Sequence, residues 1–200
     1  MTSWLELILL NSIPSISGFF YQPIFGIPQL PQTIHRIEKL KTLHEADIGF
    51  YDHGTDISLT SKRSAGGRLR LEFKCDGLDR QLSLLEQVFS QCLPLLSHVG
   101  VLELFDHDGQ PDQDPTLWLA FLQPFNAVQS LLFYDQDSVT QIARVLGELT
   151  EERAAEVLPM LRAIIWCGSC EWDRVEQWVA PLLQPFIDAR ELSGHPVEVP

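Results

Sequence analysis

Two cysteines separated by two residues can exchange electrons or hold a metal. This chain has one such pair, Cys167 and Cys170, in the run "IIWCGSCEWDRVEQWV". A redox pair needs its first sulfur near a helix N-terminus, where the dipole favours the thiolate. The order strand, cysteine pair, helix meets that need. Only 30 residues follow Cys170, however, too few for the rest of a thiol-disulfide oxidoreductase domain. A zinc site would need a third ligand, His98 or His107, and a second Cys-x-x-Cys or His-x-x-x-His is absent. Cys167 therefore reads as the residue after a buried strand, with no metal and no cofactor. Cys75 and Cys92 add no disulfide framework.

Other chemistry-bearing runs are weaker. "DHDGQPDQD", residues 106 to 114, resembles a calcium loop until it is counted. That loop needs glycine sixth and glutamate twelfth, and Gly109 falls fourth. The run reads as a solvated acidic turn. Ser193-Gly194-His195 sits in the tail without a nucleophile-elbow context, and no phosphate loop or dinucleotide fingerprint occurs. No catalytic residue is assigned, and the expectation is that the chain is not an enzyme.

The 200 residues fit one domain, with 45% apolar and 20% charged residues. Acids outnumber bases 27 to 14, a net charge of −13, which argues against nucleic acid as a partner. The one basic cluster, Lys62-Arg63 with Arg68 and Arg70, reads as a solvated hairpin. "WLELILL" is too short for a bilayer span of about 20 apolar residues, and no basic n-region precedes it. These features predict an intracellular chain, cytoplasmic or nuclear, that neither crosses nor enters a membrane.

The elements that position these residues repeat. Three stretches share the template apolar-x-x-apolar-x-x-apolar-x-apolar: Leu96, Val99, Leu102 and Leu104; Phe125, Val128, Leu131 and Phe133; Leu158, Leu161, Ile164 and Trp166. A weaker copy runs Leu40, Leu43, Ala46, Ile48, and "LRLEF" from Leu69 reads as a further strand between it and the Leu96 unit. The intervening segments carry helical periodicity. One places Leu78, Leu82, Leu85, Val88 and Phe89 on a face. The next starts with Asp114 as N-cap and Pro115 at the first helical position. The third is capped by Asp137 or Ser138. The last, "DRVEQWVAPLLQPFIDAREL", should be shortened or kinked by Pro181 and Pro185. "ADIGFYDHGTDISLTSKRSAGGRLRLEF" alternates as two or three strands, turning at His53-Gly54 and Gly66-Gly67.

A single strand-plus-helix unit cannot bury its own apolar face, so units must stack. The expected fold class is α/β: a short, irregular leucine-rich-repeat-like solenoid of parallel strands backed by helices. Residues 1–60 form an irregular edge, 61–170 the strand/helix repeats, and 171–200 a capping helix and tail of one truncated array. The Asn usual after such a strand is missing; His107, Gln136 and Ser169 stand there.

A family likeness runs through the same segments. "QPIFGIPQLPQTIHRIEKLKTLHEADIGFYD", "LDRQLSLLEQVFSQCLPLLSHVGVLEL", the Trp118 to Val128 stretch "WLAFLQPFNAV" and the ending Ala189 to Val197, "ARELSGHPV", carry it. The chain resembles the F-box/leucine-rich-repeat-like proteins of mushroom-forming fungi over roughly residues 1 to 199. The resemblance implies the substrate-recognition part of a ubiquitin-ligase adaptor. The F-box that docks such a protein to its ligase has no counterpart here, so the resemblance covers the carboxy-terminal repeat part alone.

In a repeat sheet the template positions face the core and the alternating residues face away. Those are Glu103, Phe105, Leu132, Tyr134, Ile165 and Cys167. This row is apolar and aromatic for an outer surface, which marks a protein-partner site. The leading expectation is a non-catalytic protein–protein interaction module whose partner is unidentified. The alternatives are a small thiol-disulfide redox protein, or a fragment without independent function.

Overall fold

The computed structural model describes residues 4–9, 17–20, 43–61, 68–106, 114–149, 151–167 and 172–199. In chain order these contain β1 (Trp4–Leu9), β2 (Ser17–Phe20), β3 (Glu45–Tyr51), β4 (Gly54–Thr60), β5 (Arg68–Lys74), α1 (Leu78–Leu96), β6 (Val101–Asp106), α2 (Pro115–Leu122), β7 (Ser130–Phe133), α3 (Gln136–Gly147), α4 (Glu151–Glu156), β8 (Ala163–Trp166) and α5 (Trp172–Leu192). The strands form one sheet in the order β2-β1-β5-β4-β3-β6-β7-β8.

The sheet is mixed, which corrects the expectation of parallel strands throughout. β3, β6, β7 and β8 are parallel neighbours. β4 and β5 fold back antiparallel beside β3, and β1 and β2 continue that half. Of the two or three strands expected from the alternating segment, three are present, and the first turn falls at Asp52-His53, one residue before the expected His53-Gly54. The Gly66-Gly67 turn and the Lys62-Arg63 pair lie outside the described residues. β5 does not insert between β3 and β6. Instead, Leu69 pairs with Leu59, and Leu59 with Ala46. A single buried row therefore crosses the sheet as Leu69, Leu59, Ala46, Leu102, Leu131 and Ile164.

The parallel half repeats its backbone contacts. The His44 carbonyl accepts from the N–H groups of Gly100 and Val101; that of Gly100 accepts from Gln129 and Ser130; that of Gln129 accepts from Arg162 and Ala163. Before each strand the chain turns the same way: Val99 N–H to Leu96, Val128 N–H to Phe125, Leu161 N–H to Leu158. Each turn joins the first two apolar positions of the template, so the spacing repeats because one loop geometry repeats. The series runs on past β8. Glu198 N–H donates to Arg162 at 2.8 Å, Ile164 N–H donates to Glu198 at 2.9 Å, and Glu198 bridges Ala163 in parallel.

The helices cover one face of the sheet. α1 packs on α2, α2 on α3, α3 on α5, and α5 on α4. Leu78, Leu82, Leu85, Val88 and Phe89 of α1 are all buried, as their periodicity requires. Phe50 of β3 meets Trp118 and Phe121 of α2 edge-on, with ring centroids 5.4 and 5.9 Å apart. α2 begins as expected: the Asp114 carboxylate accepts from Thr116 N–H at 2.9 Å, and Pro115 opens the helix.

One helix cap is corrected, and of the two effects expected from the prolines of the last helix one is absent. The cap of α3 is Asp135, not Asp137 or Ser138; its extended backbone lets the carboxylate accept from Ser138 N–H at 2.7 Å. α5 is not shortened by its prolines but runs through both. Pro181 and Pro185 are exposed, so water can serve the carbonyls deprived of their helical donor.

Candidate functional site: the open face of the sheet

Alternation along β3, β6, β7 and β8 sends one residue set into the helix layer and the other outward. Leu102, Leu104, Leu131, Phe133 and Ile164 are buried. The six residues picked out by alternation all lie on the opposite face, half-buried or exposed. Glu103, Leu132 and Ile165 are register partners in consecutive strands and form one row. Tyr134 and Cys167 stand just past the ends of β7 and β8, and Cys167 N–H donates to Phe133 at 2.8 Å, which continues the pairing. Phe105 and Tyr134 meet at 5.8 Å between centroids and 65° between planes, the edge-to-face geometry that aromatic pairs favour.

β3 adds two residues that the sequence reading did not include. Gly49 is the register partner of Phe105. A Cβ on Gly49 would lie 2.7 Å from the Tyr51 hydroxyl and 2.8 Å from the Phe105 ring, so both side chains use the space that glycine leaves. Tyr51 is 39% exposed and Tyr134 44%. The clue was available: Ala46 and Ile48 already occupied template positions, so Gly49 and Tyr51 had to alternate with them.

Electrostatics divide the face. On β4 and β5 the charges pair with each other, Arg70 donating to Asp56 through Nη2 at 2.6 Å and Nε at 3.1 Å. That contact raises the Arg70 pKa above its ordinary value. On the other half, desolvation first, and then Glu103 as acceptor and negative charge, push the Tyr134 phenol far above the usual tyrosine range. Burial, then Asp56, raises Tyr51 in the same direction.

The sites of possible chemistry divide similarly. Cys167 is exposed at the end of β8, while Cys170 lies outside the described residues. Burial pushes the half-buried Cys75 thiol up, away from thiolate. Among the described residues no three of His, Cys, Asp and Glu are grouped to hold a metal. His107 and residues 107–113 of the acidic turn are outside the described set. Near the chain's end an open cleft of ≈ 490 Å³ lies between Pro159–Ala163 and Gly194–Pro196. Of its two arginines, Arg162 is exposed, while Arg190 is buried and donates to the carbonyls of His195, Ala154, Pro159 and Leu161. Arg190 thus ties α4, the turn before β8 and the segment after α5 together.

Among the described residues no helix is long and apolar enough to cross a membrane. No family model, curated protein or solved structure matches the chain.

Proposed function

We propose that this chain is a non-catalytic protein-interaction module, a short irregular leucine-rich-repeat-like array whose partner docks on the open face through Glu103, Phe105, Leu132, Tyr134, Ile165 and Cys167. The observation that carries this reading is the coupling of two patterns. The same backbone contacts recur at His44, Gly100 and Gln129, and the strands they align expose a continuous apolar and aromatic row. A repeated scaffold presenting a row of side chains suits a surface ligand better than an enclosed substrate. The family likeness adds the expectation of a substrate-recognition part of a ubiquitin-ligase adaptor, working in the cytoplasm or nucleus.

Affinity capture from native cell extract tests this, using the parent chain, Glu103→Arg and Tyr134→Ala. Proteins retained by the parent and lost from both variants locate the docking surface. Identical capture by all three removes the face from consideration. Ligase components among the lost proteins would support the adaptor role; their absence would confine the chain to binding alone.

A further inference from the structure

The chemistry of the missing partner can be read from the docking half of the face. Among the described residues, the outward positions of β3, β6, β7 and β8 include Glu45, Asp47 and Glu103 and no lysine or arginine. Asp47 and Glu103 are register partners on adjacent strands, so two acidic side chains stand in one row of the face. Leu132 stands directly beside Glu103 in register, with Ile165 next along that row, and the Phe105 and Tyr134 rings pack together two residues further along the strands. On the β4–β5 half Arg70 pairs with Asp56. The chain as a whole carries a charge of −13, so its field attracts cations from a distance.

We propose that this half of the face docks an extended, arginine-bearing basic segment of a partner protein, with the guanidinium against Tyr134 and Phe105 beside the Glu103 carboxylate and an apolar side chain on Leu132 and Ile165. This rests on the interaction-module reading and specifies its ligand. Arginine fits better than lysine because a flat guanidinium can stack on a ring while its edge donates to a carboxylate. Four strands about 4.8 Å apart span roughly 14 Å, the reach of four or five residues of extended peptide. A short segment therefore contacts both the carboxylates and the apolar row.

The test is fluorescence anisotropy of the full chain with labelled octapeptides carrying two arginines and two leucines on one side of the extended backbone. Matched peptides replace the arginines with lysine, serine or glutamate. The expected result is tightest binding for the arginine peptide, at least about ten-fold over serine or glutamate. Glu103→Gln and Tyr134→Ala should each weaken it about ten-fold, as should salt raised from about 0.05 M to about 0.5 M. Leu132→Ser is the second face variant, and thermal melting confirms that each variant is folded. Serine or glutamate peptides that bind equally well and respond to Tyr134→Ala would overturn the basic chemistry and leave the docking face standing. Arginine-peptide binding indifferent to all three variants would be diffuse attraction to an acidic chain, and would overturn the proposal. Failure of every peptide to bind overturns it also, leaving the capture experiment to judge the face.

Discussion

Arg190 near the end of α5 donates through Nη2 to the carbonyl of Leu161, 3.0 Å away, in the turn that launches β8. The same side chain reaches Ala154, Pro159 and His195, so a buried cation organises the β8 end of the sheet using carbonyl dipoles instead of a carboxylate. Its cost is visible in a pKa lowered by desolvation.

Removing that clamp should be severe. Arg190→Met keeps most of the volume but leaves four carbonyls without their donor, and is expected to cost about 3 kcal/mol. Chemical denaturation measures it. Arg190→Lys should recover only part of the loss, since an ammonium cannot reach all four carbonyls at once. A change below about 0.5 kcal/mol in Arg190→Met would mean that the carbonyls are served from elsewhere.

Two glycines separate packing from surface. The end of α3 approaches α5 so closely that a Cβ on Gly147 would collide with the Leu182 carbonyl, which is backbone and cannot swing aside. Gly147→Ala is therefore expected to cost about 2–3 kcal/mol by forcing the helices apart. Gly49→Ala also meets atoms too closely, but these belong to the half-exposed Tyr51 and Phe105 side chains. It should cost under about 1 kcal/mol while disturbing partner binding. Equal destabilisation by the two would refute this distinction.

Trp118 anchors the aromatic centre. It is buried against Phe50 and Phe121, and its Nε1 donates to Gln141 at 3.1 Å. Trp118→Phe loses the hydrogen bond and some volume, and should cost about 1–2 kcal/mol; Trp118→Ala should cost about 4 kcal/mol. Thermal unfolding of both variants gives the ranking.

Alkaline titration reports directly on the open face. The Tyr134 pKa is raised in the folded chain, so the neutral phenol is the form the fold prefers. The associated stability is complete below the unfolded value of about 10 and is lost as pH climbs through the folded value. Ultraviolet titration of phenolate should show Tyr51 and Tyr134 both ionising late, with Tyr134 last. Glu103→Gln, which deletes the neighbouring charge, should bring that transition down. A last transition unmoved by Glu103→Gln would assign the shift to burial and Cys167 instead of the Glu103 charge.

How much of this was legible in the sequence depends on what period-two alternation encodes. It encodes which side of a sheet a residue faces, so Leu102, Leu131 and Ile164 emerged as a buried row and Glu103, Leu132 and Ile165 as its outward counterpart. It does not encode strand direction, because antiparallel and parallel strands alternate alike. Leu69 accordingly joined the right row but the wrong neighbours: it reaches Ala46 through Leu59 instead of standing beside Leu102. The cap of α3 was ambiguous for a local reason. Asp135, Asp137 and Ser138 all have capping side chains, and only the extended backbone at Asp135 selects among them. Tyr51 was missed because it lies one strand beyond the clearest repeats. Only the bare backbone at Gly49 lets it lean toward Phe105.

The closing residues, finally, bear on how molecules of this kind stay apart. Glu198 occupies, beside β8, the place that a further parallel strand would take. An intruding strand from a neighbouring molecule would have to evict the chain's own end before pairing there, together with the buried Val197 that pins it. Clipping the last few residues should therefore convert a guarded border into an adhesive one, and crowding, rather than unfolding, would be the first symptom.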